Sequence, residues 1–228
     1  MSFMPFPKAG CQYRFTPMDW RFIIESLGMT DRARESLASL CDDPDSLRMI
    51  LDHPKLFEAV VMQRKAVMLS PELFFFVVVR HTLKRAGVEE LDVADYLAVV
   101  CAEFGMPPQG QSKAADQKIR GLYNIDYVMA LDQARGPERF FIHVECANQF
   151  IVLTCLYPAF LHHRSARRGA PDVEYYEQVA MSHLNAAGNH ALAEEFALHD
   201  VLLRLSDAFP PVRRAMNDTV REYLSLGG

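Results

Sequence analysis

The stretch Ser70-Pro-Glu-Leu-Phe-Phe-Phe-Val-Val-Val-Arg-His-Thr-Leu-Lys-Arg-Ala-Gly87 decides the fold class. Its apolar run, Leu73 to Val79, is rich in valine and phenylalanine. Taken alone, such a run suits a buried strand as well as a buried helix. The flanks settle the choice. Ser70 is a good N-cap, Pro71 fits a first turn where its missing N–H has no partner anyway, and Glu72 complements the positive end of the helix dipole. The apolar pattern continues to Leu83 and stops at Gly87. That makes a segment of about 16 residues, longer than a typical strand. The reading is a helix over about 71–86. Arg80 interrupts its apolar surface and requires a partner there.

The same punctuation recurs in both directions. Thr16-Pro17 and Asp43-Pro44 repeat the cap-then-proline pattern, Thr30 opens a unit with Ala33, Leu37 and Leu40 on one face, and His53-Pro54 breaks one helix and starts another. Asp92 opens the next helix, and a short one covers about Ile125 to Ala134. Gly136-Pro137 starts a long central helix, about 138–157, with a bend expected at Pro158. The stretch from Ala166 to Pro171 reads as a loop, Asp172 caps a helix over about 173–186, and Asn185 to Asn189 reads as a turn. Helices follow through Leu192 and Leu205, and Pro210-Pro211 is expected to break the pattern before a last helix through Val212, Met216 and Val220. No strand-like alternation competes. These signals predict an all-α protein: a single compact bundle of about eight to ten helices around a buried central helix. Segments 71–86 and 173–186 are its expected neighbours. One domain over 1–228 is expected, with a loop or hinge at 106–120 where Met106 to Lys113 reads M-P-P-Q-G-Q-S-K.

Composition narrows the function classes. The chain has 228 residues, half of them hydrophobic and 23% charged, which excludes a disordered or collagen-like chain. A net charge of -5 gives no general attraction to nucleic acid, and none is expected as a partner. Cys11, Cys41, Cys101, Cys146 and Cys155 are odd in number and none is paired as C-x-x-C, so reduced thiols and a cytoplasmic location are expected. The N-terminus lacks a basic segment followed by an apolar core, so no secretory signal is expected. The most apolar long segment, Phe140 to Phe160, contains His143, Glu145, Asn148, Gln149 and Pro158. One ionisable group near a bilayer centre costs roughly 2.5–3.5 kcal/mol on insertion scales. A buried helix is the better reading, and no membrane association is expected.

Four constellations could carry chemistry. Glu145 and Gln149 are four residues apart and share a face of the central helix, Asn148 lies about 60° to one side, and His143 projects the opposite way. A functional reading makes Glu145, Asn148 and Gln149 a ligand pocket, joined by Arg80 and, if the pocket wraps around the helix, by His143. A structural reading, which takes precedence, makes them a buried polar network. Glu145→Gln separates the two: it destabilises a structural ion pair but leaves a functional carboxylate's fold unchanged or improved. His190 and Glu194, like Glu195 and His199, are four apart and could share a metal on a continuous helix, but Glu-x-x-His repeats and H-E-x-x-H are absent, so no metal site is expected. The basic run from His162 to Arg168, with Arg164, Arg167 and Arg168, complements a helix C-terminus or forms a local anion site, which Arg213 and Arg214 could extend. The aromatic residues read as core, with one of Tyr175 and Tyr176 turned outward. Cys146, three residues from His143, reads as packing.

No phosphate-loop, dinucleotide, nucleophile-elbow or zinc motif is present in the sequence. The reading is therefore a non-catalytic helical module for a protein partner or small ligand, with self-association compatible. The alternative is an enzyme or cofactor-binding protein with an internal pocket around helix 138–157. No motif names a substrate, cofactor or partner.

Overall fold

A computed structural model describes residues 10–41, 43–63, 69–104 and 124–223. All regular structure among them is helical, as expected: one 3₁₀ turn and twelve α-helices. This exceeds the expected eight to ten because the bent central segment forms two helices and because a helix as short as Ala191–Glu195 stands alone. The expected loop or hinge at 106–120 lies outside the described residues. The chain forms two compact units, one spanning Ala9–Ala102 and the other built on the chain from Glu103 onward.

The first unit holds the 3₁₀ turn Cys11–Arg14 and helices α1 (Pro17–Leu27), α2 (Asp31–Leu40), α3 (Pro44–Leu51), α4 (Pro54–Gln63), α5 (Pro71–Arg85) and α6 (Leu91–Phe104). Ser70 caps α5 as the sequence dictates, its Oγ accepting from Leu73 N at 3.1 Å. Leu73 to Arg80 are all buried. The fully buried Asp19 ties two helix starts together. Its carboxylate accepts from Thr16 N at 2.7 Å, completing a capping box, and from Ser70 N at 2.9 Å. Asp95 does the same for the 3₁₀ turn, accepting from Gly10 N at 2.5 Å and Cys11 N at 2.7 Å. Gly10 sits at φ +106, and the Tyr13 ring occupies the space a Cβ would take, so only glycine fits.

The second unit holds α7 (Asn124–Gln133), α8 (Pro137–Leu156), α9 (Pro158–Arg168), α10 (Val173–Gly188), α11 (Ala191–Glu195) and α12 (His199–Tyr223). Helix α8 packs against each of the other five, most extensively against α10. Phe140, Phe150, Ile151 and Leu156 on α8 are fully buried. Of the two neighbours expected for this helix, α10 is confirmed, and α5 belongs to the first unit. At Gly188 a Cβ would lie 2.8 Å from Leu203, so glycine sets the approach of α10 to α12.

Proline acts differently at two places. At Pro158 the chain bends as expected, α8 and α9 meeting at 90°. Pro158 lacks the N–H that would bond Thr154 O, and the bend removes the partner of Cys155 O. Asn217 replaces both, its Nδ2 donating to Thr154 O at 2.7 Å and Cys155 O at 2.8 Å. At Pro210-Pro211 the expected break is absent: α12 runs through both prolines. An interior proline costs about 3 kcal/mol. Here Leu205, Phe209, Val212, Met216 and Val220 form one buried stripe across the pair, and that packing keeps the helix continuous.

No single described helix is long and apolar enough to cross a membrane. The α8–α9 pair meets the length and composition only when taken together across its 90° bend.

Candidate functional site

On α8 the structure separates the predicted polar residues by role. Asn148 is buried, and Gln149 accepts from Tyr127 Oη at 3.3 Å. His143 meets His183 of α10, Nδ1 to Nδ1 at 3.1 Å, so one ring donates and the other accepts. Burial lowers the pKa of His143, assisted by Arg139 and His190. Burial and then His143 bring His183 down to about 4. Both rings are therefore neutral at pH 7. Sequence reasoning missed His183 because nothing local pairs residues 40 positions apart.

This pair sets a pH dependence. The unfolded chain protonates each ring near pH 6.5, whereas folded His183 resists until about 4. Acid therefore favours the unfolded chain: the stability is complete above 6.5 and is lost as pH falls toward 4. Urea unfolding should show a loss of about 2 kcal/mol between pH 7 and pH 5, at 1.36 kcal/mol per unit. His183→Gln should remove most of that slope. An unchanged slope would assign it to other groups.

Glu145 is half-buried, and burial raises its pKa. No ion pair or hydrogen bond is made by its side chain among the described residues, so the structural ion pair expected of it is not found there. Its charge adds to burial in raising the pKa of Tyr127 and of the Cys146 thiol. A carboxylate with a raised folded pKa loses stability as pH rises through that pKa. Glu145→Gln should therefore leave thermal stability at pH 7 unchanged or higher, and a lower Tm would show a partner that the carboxylate needs. Burial also pushes the Cys155 thiol up to about 12, so neither thiol of α8 is an activated nucleophile.

The other predicted groups resolve locally. Helix α9 continues to Arg168, so the segment expected to loop from Ala166 is helical until Gly169 ends it in the left-handed region. Arg164 lies over the Phe160 ring at 5.6 Å, Arg167 is exposed, and Arg168 lies in the last turn. Arg213 is paired with Glu177 of α10. The His190–His199 segment is interrupted: His190 caps α11, accepting from Leu192 N at 3.2 Å, and His199 begins α12 with its Nδ1 2.7 Å from Gly188 O. Among the described residues no cluster of three or more His, Cys, Asp or Glu is arranged to hold a metal. Tyr176 is buried and Tyr175 exposed, as the helix period predicts. Ile125, Val128 and Met129 leave one face of α7 exposed at i, i+3 and i+4.

Arg80 finds its partners within the first unit. Its Nε and Nη2 donate to the two carboxylate oxygens of Asp52 at 2.8 and 3.1 Å, and its Nη1 donates to Glu89 O at 2.7 Å. Lys84, one turn further along α5, donates to Asp52 Oδ2 at 3.1 Å. Burial raises the pKa of Asp52, but the hydrogen bonds and charges of Arg80 and Lys84 outweigh it and hold the carboxyl below its ordinary range. A cleft of about 270 Å³ opens beside this pair, between the α3–α4 turn and α5. Leu51, Phe57, Val77 and Arg80 form its buried lining, while His53, Lys84 and Arg85 are exposed. Phe57 and His81 stack across α4 and α5 with ring centres 3.7 Å apart. Arg80 and Lys84 thus share one carboxylate, with His53 and His81 also lining the cleft. The sequence carried one signal for this site: Arg80 interrupts an otherwise apolar helix and needs a partner.

No family model matches the chain, no curated protein matches its sequence, and no solved structure matches its fold.

Proposed function

We propose that this protein is a binding module for a small anion, seated in the cleft between the α3–α4 turn and α5. One observation carries the reading: a cleft with a partly buried lining holds two cations, Arg80 and Lys84, against the single carboxylate of Asp52. Excess cationic charge in a concave setting attracts anions. A reducing, cytoplasmic location fits the five free thiols, four of them buried.

The test is thermal unfolding of the full chain with acetate, benzoate, phosphate and pyrophosphate at constant ionic strength. An anion at a hundred times its Kd adds about 2.7 kcal/mol, which raises Tm by roughly 5 °C or more for a chain of this size. The rise should vanish in Lys84→Met, whose side chain is exposed and whose loss leaves the core intact. No rise with any anion, or one that survives in Lys84→Met, refutes the reading.

A further inference from the structure

We infer that His143 and His183 form an open two-histidine site for a divalent transition-metal ion of the Zn²⁺ type, where α8 packs on α10. The geometry of the pair selects this class. The two Nδ1 atoms stand 3.1 Å apart, whereas the ring centres are 4.9 Å apart with their planes at 56°. The rings therefore meet through their nitrogens and do not stack. Two imidazole nitrogens bound to one tetrahedral ion, at about 2.0–2.1 Å each, lie about 3.3 Å from one another. The pair falls short of that by about 0.2 Å, which a small rotation of either ring makes up. With each ring's proton on Nε2, both Nδ1 lone pairs face the same gap. An ion there takes the place of the single proton that otherwise links the rings.

The surroundings make the site rigid and leave it open. Its two ligands come from the most extensively packed helix pair of the second unit. Ile142, Val144 and Leu184, their neighbours along the chain, are buried and hold both backbones in place. Among the described residues neither Nε2 has a protein partner and neither is buried without one, so both ring edges reach water. No third His, Cys, Asp or Glu completes the set there, and water fills the remaining positions, as in open zinc sites. His190 Nδ1 is engaged by Leu192 N at 3.2 Å. Arg139, whose charge reaches His143, is tied to Leu131 O at 2.6 Å. Two ligands beside a cation give a modest affinity, with a Kd on the order of 10 µM. Imidazole nitrogen favours Zn²⁺ over Mg²⁺, which prefers oxygen.

The experiment is a calorimetric titration of the full chain at neutral pH with Zn²⁺ and with Mg²⁺. It uses a Cys41→Ser background, which removes the one thiol that is not buried. Zn²⁺ should saturate one site and Mg²⁺ should give no signal. His143→Gln and His183→Gln should each weaken Zn²⁺ by about tenfold or more. His143 is only half-buried, so its variant keeps the fold if the His183 variant does not. His162→Gln/His163→Gln, which removes two exposed histidines of α9, should leave the affinity unchanged. Three results would each overturn the site: no saturable Zn²⁺ binding below about 1 mM, binding that survives in His143→Gln, or binding lost in the α9 double variant.

Discussion

Replacing Arg80 by alanine should destabilise the protein by about 3–5 kcal/mol, the scale for removing one partner of a buried ion pair. Its side chain is 4% exposed and that of Asp52 15%. The bidentate geometry means that the arginine satisfies both carboxylate oxygens at once. Without it, Asp52 keeps only the exposed Lys84, and Glu89 O loses its donor. The cost comes mainly from the carboxylate left behind. Arg80→Met/Asp52→Leu, which removes both charges and keeps apolar bulk, should therefore recover most of the loss. Urea denaturation followed by circular dichroism at 222 nm measures both. A single-variant cost below about 1 kcal/mol would mean that Asp52 is solvated well enough to stand alone.

This pair also shows where sequence reading stops. That Arg80 needs a partner followed from its place in an apolar helix, because desolvation is a property of the residue and its near neighbours. Which partner it takes did not follow, since Asp52 lies 28 positions earlier, at the end of another helix. Helix starts at Ser70-Pro71 and Thr16-Pro17, and the bend at Pro158, were legible because caps and prolines act within one turn. Pro210-Pro211 was misread for the same reason. A local rule was applied where the apolar stripe from Leu205 to Val220 already announced one continuous buried face. The polar set on α8 was visible as a set. Its division into a histidine pair, a glutamine–tyrosine contact and a solitary Glu145 depends on α7 and α10, and no spacing along α8 encodes that.

Arg213→Ala should cost a similar amount, about 3–5 kcal/mol, through a chain of contacts that ends at the α8 C-terminus. Arg213 donates through Nε to the buried Glu177 and through Nη1 to Asn217 Oδ1 at 3.2 Å. Holding that oxygen fixes which way the Asn217 amide points, and its Nδ2 then meets the two carbonyls that Pro158 leaves without partners. The arginine therefore has two effects: it neutralises a carboxylate and orients an amide. The variants separate them. Glu177→Gln keeps an acceptor for Arg213 and should cost less, about 1–2 kcal/mol. Asn217→Ala removes the two carbonyl contacts and the acceptor of Arg213 Nη1 but leaves the Arg213–Glu177 pair, and should cost about 1–3 kcal/mol. Because Arg213 and Asn217 act partly through the same carbonyls, Arg213→Ala/Asn217→Ala should cost less than the two singles added together, by 0.5 kcal/mol or more. Strict additivity would show that the amide holds its orientation without the arginine, and the cost of Arg213→Ala would then belong to Glu177 alone.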